Sequence, residues 1–250
     1  MFCVKTSKYF DQILQINEFS TYSICRLGQE VAMSFEKIIG IGGNCEVAEH
    51  IRRFTREKRA NIMDWWITPM GSLSKLLGER FDKLMQLENM KLINGGMTVM
   101  CTHYGIAHHH DFPRLENKRI DVAAIPQTVL EMQGKYEMLR ERFLADCDGH
   151  QRVLFVRTWR DTLAVPPNQQ AIDDVHQFDF DGTIALFEEA FPNLDFSILF
   201  VNYGVQRSNH PRAMFHNIHD KGDSKTWAGS PGGWDEMFDR FVGARLAAAE

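Results

Sequence analysis

Apolar residues return along this chain in two rhythms: short unbroken runs of strand length, and longer stretches in which they recur every three or four positions. The first clear run, Lys37-Ile38-Ile39-Gly40-Ile41, predicts a short buried strand over 37–41. Gly42-Gly43 predicts a turn, and Asn44 predicts the cap of a helix that reaches Phe54. In that helix Val47, Ala48, Ile51 and Phe54 share the inward face, which turns Glu49, His50, Arg52 and Arg53 outward. The same periodicity predicts helices over 73–84, 128–144, 184–190 and 235–248. Between them the segments 98–106, 152–156 and 196–201 are apolar, rich in β-formers and of strand length. Strands and helices alternating in this way predict an α/β domain, a mostly parallel or mixed sheet flanked by helices. Residues 1–35 are weakly patterned, with Phe10, Ile13, Leu14 and Ile16 as the apolar side of an amphipathic helix.

No repeat, low-complexity tract or Pro/Gly-rich linker divides the 250 residues, so one domain over 1–250 is expected, with its core at 36–246. Hydrophobic residues make up 44% of the chain and charged ones 24%, which excludes disordered, collagenous and small disulfide-stapled classes. The net charge of −5 leaves no global electrostatic reason to hold nucleic acid. A small-molecule, peptide or glycan substrate is therefore the expected partner, and the pattern leaves the oligomeric state open. Lys5, Lys8, Asp11 and Glu18 interrupt the N-terminal apolar residues, and no later window approaches the ~20 apolar residues of a membrane span. A cytoplasmic protein with no membrane span is expected.

Chemistry enters with the cysteines. Cys3, Cys25, Cys45, Cys101 and Cys147 are odd in number and lack C-x-x-C spacing, which suits thiols in a reducing compartment. Only Cys45 follows a strand and a paired-glycine turn into the first turn of a helix. Unsatisfied N–H groups and the positive dipole end favour a thiolate there, and with Gly43 and Asn44 shaping the turn the same groups suit an oxyanion. Packing is the competing reading, since cysteine is among the most buried residue types. A thiol nucleophile needs a base, and His108-His109-His110-Asp111 follows the second strand segment. If the extended chain continues through it, His108 and His110 share one face while His109 and Asp111 share the other.

These residues resemble, in three places, a mostly bacterial family of papain-like cysteine peptidases known as a domain of unknown function. Ile41-Gly42-Gly43-Asn44-Cys45-Glu46-Val47-Ala48, followed by Ile51-Arg52-Arg53, is similar to its Gly-x-Asn-Cys-Glu motif and Arg-bearing helix. Met63-Asp64-Trp65-Trp66 is similar to its Phe-Asp-Trp motif, with Met63 where Phe is usual. His109-His110-Asp111-Phe112 is similar to its His-Asp-Phe motif, and Arg152-Val153-Leu154-Phe155-Val156-Arg157 to the strand and Arg that follow. The likeness covers about residues 37 to 160. It implies a papain-like fold, a hydrolase acting through an acyl-enzyme, Cys45 as nucleophile, His110 as general base and Asp111 or a later polar residue as the orienting partner. Asp64, Asp161 and Asn202 stay open as alternatives for that partner. Arg52, Arg53, Asp64, Trp65 and Arg157 are candidates for substrate or anion binding.

The Gly-Asn-Cys turn is also similar to that of capsule-biosynthesis proteins that look like coenzyme A-dependent acyltransferases, which would make coenzyme A a cofactor. The basic stretch 50–59 is the segment that would hold its phosphates, or else a solvated helix end. His103, His108, His109, His110 and Asp111, with His210, His216, His219, Asp220 and Asp223 near the far end, carry metal-ligand chemistry. No H-E-x-x-H or comparable signature supports a metal site, so no metal is expected. Trp227 and Trp234 lie in a Gly-rich loop that either flanks the site or simply turns the chain. A non-catalytic binding protein is the remaining alternative.

Overall fold

In the computed structural model the described residues are 35–149, 151–159, 178–204, 208–219 and 228–243, and they belong to one compact unit. In chain order they form β1 (Lys37–Gly40), α1 (Cys45–Thr55), β2 (Trp66–Ile67), α2 (Met70–Gly78), β3 (Met90–Ile93), β4 (Thr98–Cys101) and β5 (Ile106–His108). Then come α3 (Ile125–Asp148), β6 (Val153–Thr158), α4 (Phe180–Ala190), β7 (Phe196–Val201), β8 (Ala213–His216) and α5 (Pro231–Val242). The fold is α/β, as the alternation of periods predicts. Among the described residues no helix is long and apolar enough to cross a membrane. The helix expected near the N-terminus, with Cys3 and Cys25, lies outside the described residues, as do Asp161, Asp220, Asp223 and Trp227.

The first sheet is parallel, in the order β1-β6-β7-β8. Its two central strands, Val-Leu-Phe-Val-Arg-Thr and Phe-Ser-Ile-Leu-Phe-Val, are buried at every position because both faces are covered. Ile39, Val153, Phe155, Phe196, Ile198 and Phe200 face the larger core, which they share with Leu73, Leu77, Phe143, Ile184 and Phe187 from α2, α3 and α4. α1 packs against β1 and β6, with α5 alongside it. The second sheet is antiparallel, in the order β2-β5-β4-β3, and it adds Trp66, Val99 and Ile106 to the larger core.

The expected run 98–106 is a hairpin rather than one strand. The chain reverses at Thr102–Gly105, where Gly105 takes φ 71° and donates its N–H to the Cys101 carbonyl. The helix expected to reach 84 stops at Gly78, because Arg80 and Phe81 both adopt left-handed φ and Phe81 drops into the core. α3 and α4 start earlier than expected, at a Pro-bearing first turn and at an Asp179 side-chain cap. α5 starts at Pro231, whose cap Ser230 accepts from the Gly233 N–H. β2, β3 and β8 are too short or too polar to announce themselves by pattern.

Gly43 shows what the end of the parallel sheet demands of the chain. It has φ 92°, and a Cβ there would collide with the Thr158 carbonyl oxygen at the end of β6. Gly95 has φ 62° with nothing within 4 Å of a Cβ, so the two glycines separate backbone conformation from close approach. Gly95→Ala is expected to cost about 1–2 kcal/mol for the left-handed residue alone. Gly43→Ala adds displacement of a strand end, a further ~1–3 kcal/mol. Urea unfolding midpoints check this; equal losses would mean that close approach does not require glycine at 43.

Candidate active site

The C-terminal ends of the parallel strands are gathered by a buried arginine. Arg157, on β6, is fully buried and donates from Nη1 to the Ile41 carbonyl at 3.0 Å, from Nη2 to the Thr68 carbonyl at 2.6 Å and from Nε to the Tyr203 hydroxyl at 3.1 Å. Those acceptors lie just beyond β1, β2 and β7. From Ile41 the chain turns through Gly42, whose φ of 85° and approach to Thr68 both require glycine, and through Gly43. Asn44 is extended and its side chain accepts from the Glu46 N–H at 2.9 Å, capping α1. Cys45 is thereby the first residue of α1, and it is partly exposed. Cys101 and Cys147 are buried, and burial pushes both thiols up; Asp146 and Asp148 add to the rise at Cys147.

The histidine segment departs from the extended alternation because β5 ends at His108. Beyond it the chain bends, and Asp111 folds back three residues. The Asp111 carboxylate accepts from His108 Nδ1 at 2.9 Å and from the Tyr136 hydroxyl at 2.6 Å, with Lys135 Nζ at 3.3 Å. The Tyr136 oxygen in turn accepts from Trp66 Nε1 at 2.9 Å. Asp111 therefore orients His108, whereas the resemblance implied Asp111 or a later polar residue as the partner of His110. Burial alone would raise the Asp111 carboxyl, but the bonds from His108 and Tyr136 and the nearby positive charge hold it at about 2. His108 is wholly buried, and among the described residues its Nε2 has no hydrogen-bond partner, the Cys45 sulfur included.

His109 and His110 are exposed. The His110 ring stands edge-on to Trp65 with centroids 5.5 Å apart, and Arg114 donates to the His109 carbonyl at 2.7 Å. Partial desolvation and the Arg114 charge lower both imidazoles, while Asp111 opposes the shift at His110. The other face of this corner is α1. Arg52 sits 4.9 Å above the Trp65 ring and pairs with Asp64 at 2.9 Å. Asp64 is buried, and desolvation raises its carboxyl despite Arg52 and the Asn61 N–H, which donates to it at 2.8 Å. Cys45 and Arg52 are seven residues apart, two helical turns, and so share one face of α1.

Each of the three arginines considered for anion binding is engaged by the protein itself. Arg52 holds Asp64, Arg53 holds Asp235 at 2.6 Å and the Pro231 carbonyl at 2.7 Å, and Arg157 is sealed inside. In the basic stretch the exposed cations are Arg56, Lys58 and Arg59. His50 is not outward as expected but 1% exposed, because the Trp234 ring supplies a flat partner and the Ala228 carbonyl an acceptor. Asn202, left open as an orienting residue, accepts from the Ile218 N–H at 2.8 Å. Among the described residues no three His, Cys, Asp or Glu side chains could hold a metal; His103, for instance, pairs with Glu79. Tyr136, Thr68 and Tyr203 were not visible in the sequence as site residues, since each is recruited by a partner distant along the chain.

A carboxyl held at about 2 in the folded protein against an ordinary 3.8 stabilises the fold above pH 3.8 and loses that contribution as pH falls toward 2. The difference amounts to about 2 kcal/mol. Asp111→Asn is expected to be less stable than wild type at pH 6, and the gap should narrow by about that amount near pH 2. Denaturant titrations at the two pH values measure it. A gap independent of pH would show that the Asp111 charge contributes nothing.

A family model matches residues 36–205, more than half of the chain, and its family is described as "Putative papain-like cysteine peptidase (DUF1796)". No curated protein and no solved structure gives a significant match. The matched span takes in the Gly42–Cys45 turn, Asp64-Trp65, the His108–Asp111 segment and Arg157, and on that match the chain belongs to this papain-like cysteine peptidase family.

Proposed function

We propose that the protein is a thiol hydrolase of the peptidase type, cleaving an amide or ester through an acyl-enzyme on Cys45. One observation carries this reading: the partly exposed cysteine of the described chain is the first residue of a helix, behind a two-glycine turn and a side-chain cap. At that place the helix dipole favours the thiolate, and first-turn N–H groups suit the oxyanion. The thiolate attacks the acyl carbon, the tetrahedral intermediate collapses to a thioester, and the protonated base gives its proton to the leaving amine or alcohol. Water then adds to the thioester, releasing the carboxylic acid and restoring the thiol.

His110 is the base in this reading, because its ring is exposed beside Trp65, which packs on Arg52 of the helix face that begins at Cys45. His108 is instead a member of the buried Asp111–Tyr136–Trp66 network and fixes the antiparallel sheet to α3. Asp111 acts on His110 through its charge.

Iodoacetamide at neutral pH is expected to label Cys45 ahead of the other four cysteines; equal or slower labelling would sink the enzyme reading. His110→Ala should slow labelling at least tenfold, within the range of an acid–base catalyst. His108→Ala should instead lower the melting temperature. Loss of labelling enhancement in a folded His108→Ala protein, with His110→Ala unaffected, would reassign the base. Coenzyme A and acetyl-coenzyme A are expected to leave the melting temperature unchanged, and a saturable rise would favour the acyltransferase alternative.

A further inference from the structure

The residue after the nucleophile is an acid sealed in the core. Glu46 is 4% exposed although it stands in the first turn of α1. A carboxylate at such a position ordinarily turns back onto the N–H groups and positive dipole end of its own helix. Those are the groups that a thiolate at Cys45 and an oxyanion on the acyl carbon need.

Glu46 points elsewhere. Its Oε1 accepts from Trp234 Nε1 of α5 at 3.0 Å. Gly229, with φ 67°, presses on the same oxygen so closely that a Cβ at 229 would lie 2.5 Å from it. The indole is itself fixed: it is fully buried and lies flat on His50, with centroids 4.8 Å apart and 11° between the planes. His50 donates from Nε2 to the Ala228 carbonyl at 2.5 Å and presents Nδ1 to Arg53. Arg53 closes the corner through Asp235 and the Pro231 carbonyl.

We propose that Glu46 and Trp234 are a positioning pair for Cys45: the indole draws the carboxylate toward α5 and so keeps its negative charge off the positive end of the α1 dipole, where the thiolate stands. The pair rests on the reading of Cys45 as nucleophile. It extends the catalytic apparatus to α5, beyond the 36–205 span of the family match. The other charged and titratable groups at this corner, among the described residues, are Glu49, His50 and Arg53 on α1, Asp235 on α5 and the Arg52–Asp64 pair beside β1. The variants below leave all of them in place.

The test is the pH profile of iodoacetamide alkylation at Cys45, with melting temperature measured alongside. Trp234→Phe keeps a ring over His50 but removes the indole donor, and under the proposal the carboxylate then turns toward its own helix. The alkylation midpoint is then expected to rise by about one pH unit, about a tenfold slower rate below it. Adding Glu46→Gln to that variant removes the competing charge and should return the midpoint to its wild-type position. A packing role for Trp234 would show no such rescue. An unchanged midpoint in Trp234→Phe, or a double variant that stays shifted, overturns the proposal. If Trp234→Phe does not fold, Glu46→Gln alone decides: it keeps an acceptor for the indole and should hold or lower the midpoint, and a rise overturns the proposal. A wild-type Cys45 that reacts no faster than the same thiol in urea overturns the nucleophile reading itself, whatever the variants do.

Discussion

A guanidinium cut off from water must find its acceptors inside the protein, because an unpaired buried charge is among the costliest things a fold can contain. Arg157 meets that demand with the Ile41 and Thr68 carbonyls and the Tyr203 hydroxyl. These acceptors come from the ends of three strands, two in the parallel sheet and one in the antiparallel sheet. Satisfying one side chain therefore sets the relation between the sheets at the place where Cys45 stands. The Gly42 and Gly43 approaches to Thr68 and Thr158 follow from it, since the turn has no room to spread.

A second buried network does for the antiparallel sheet what Arg157 does for the parallel one. Trp66 on β2, His108 on β5, Asp111 in the following bend and Tyr136 on α3 form a chain of hydrogen bonds across three elements. Polar groups in such a chain orient one another and tolerate few alternative packings. The consequence for the site is a division of labour among neighbouring histidines. His108 belongs to the scaffold, whereas His109 and His110 are left at the surface on the bend that the network anchors.

Much of this was legible in the chain. β6 and β7 read as strands because strands covered on both faces carry no polar alternation, and Asn44 behind two glycines reads as a helix start. What was not legible depends on partners far away in sequence. The reversal at Gly105 hides inside a continuous run of strand-forming residues, so 98–106 reads as one strand. Polarity placed His50 on the outward face of α1, and only the Trp234 ring and the Ala228 carbonyl make an inward histidine stable. The Asp111–His108 bond was missed for a similar reason: the period-2 rule holds only while the chain is extended, and it ceases to be so after His108.

The Arg157 contacts bear also on the order in which the protein comes into being. Its acceptor at Ile41 lies 116 residues earlier in the chain, and β1 pairs directly with β6. Contacts of such long sequence separation form late, after the loop between them has been closed. While the chain is being synthesised, the turn before Cys45 has neither the Arg157 guanidinium nor the Thr158 carbonyl to shape it, and the helix behind it lacks its strand partners. The helix start on which the proposed nucleophile depends is thus unformed in a nascent chain, and under that proposal the thiol gains its setting only once β6 has been made and docked.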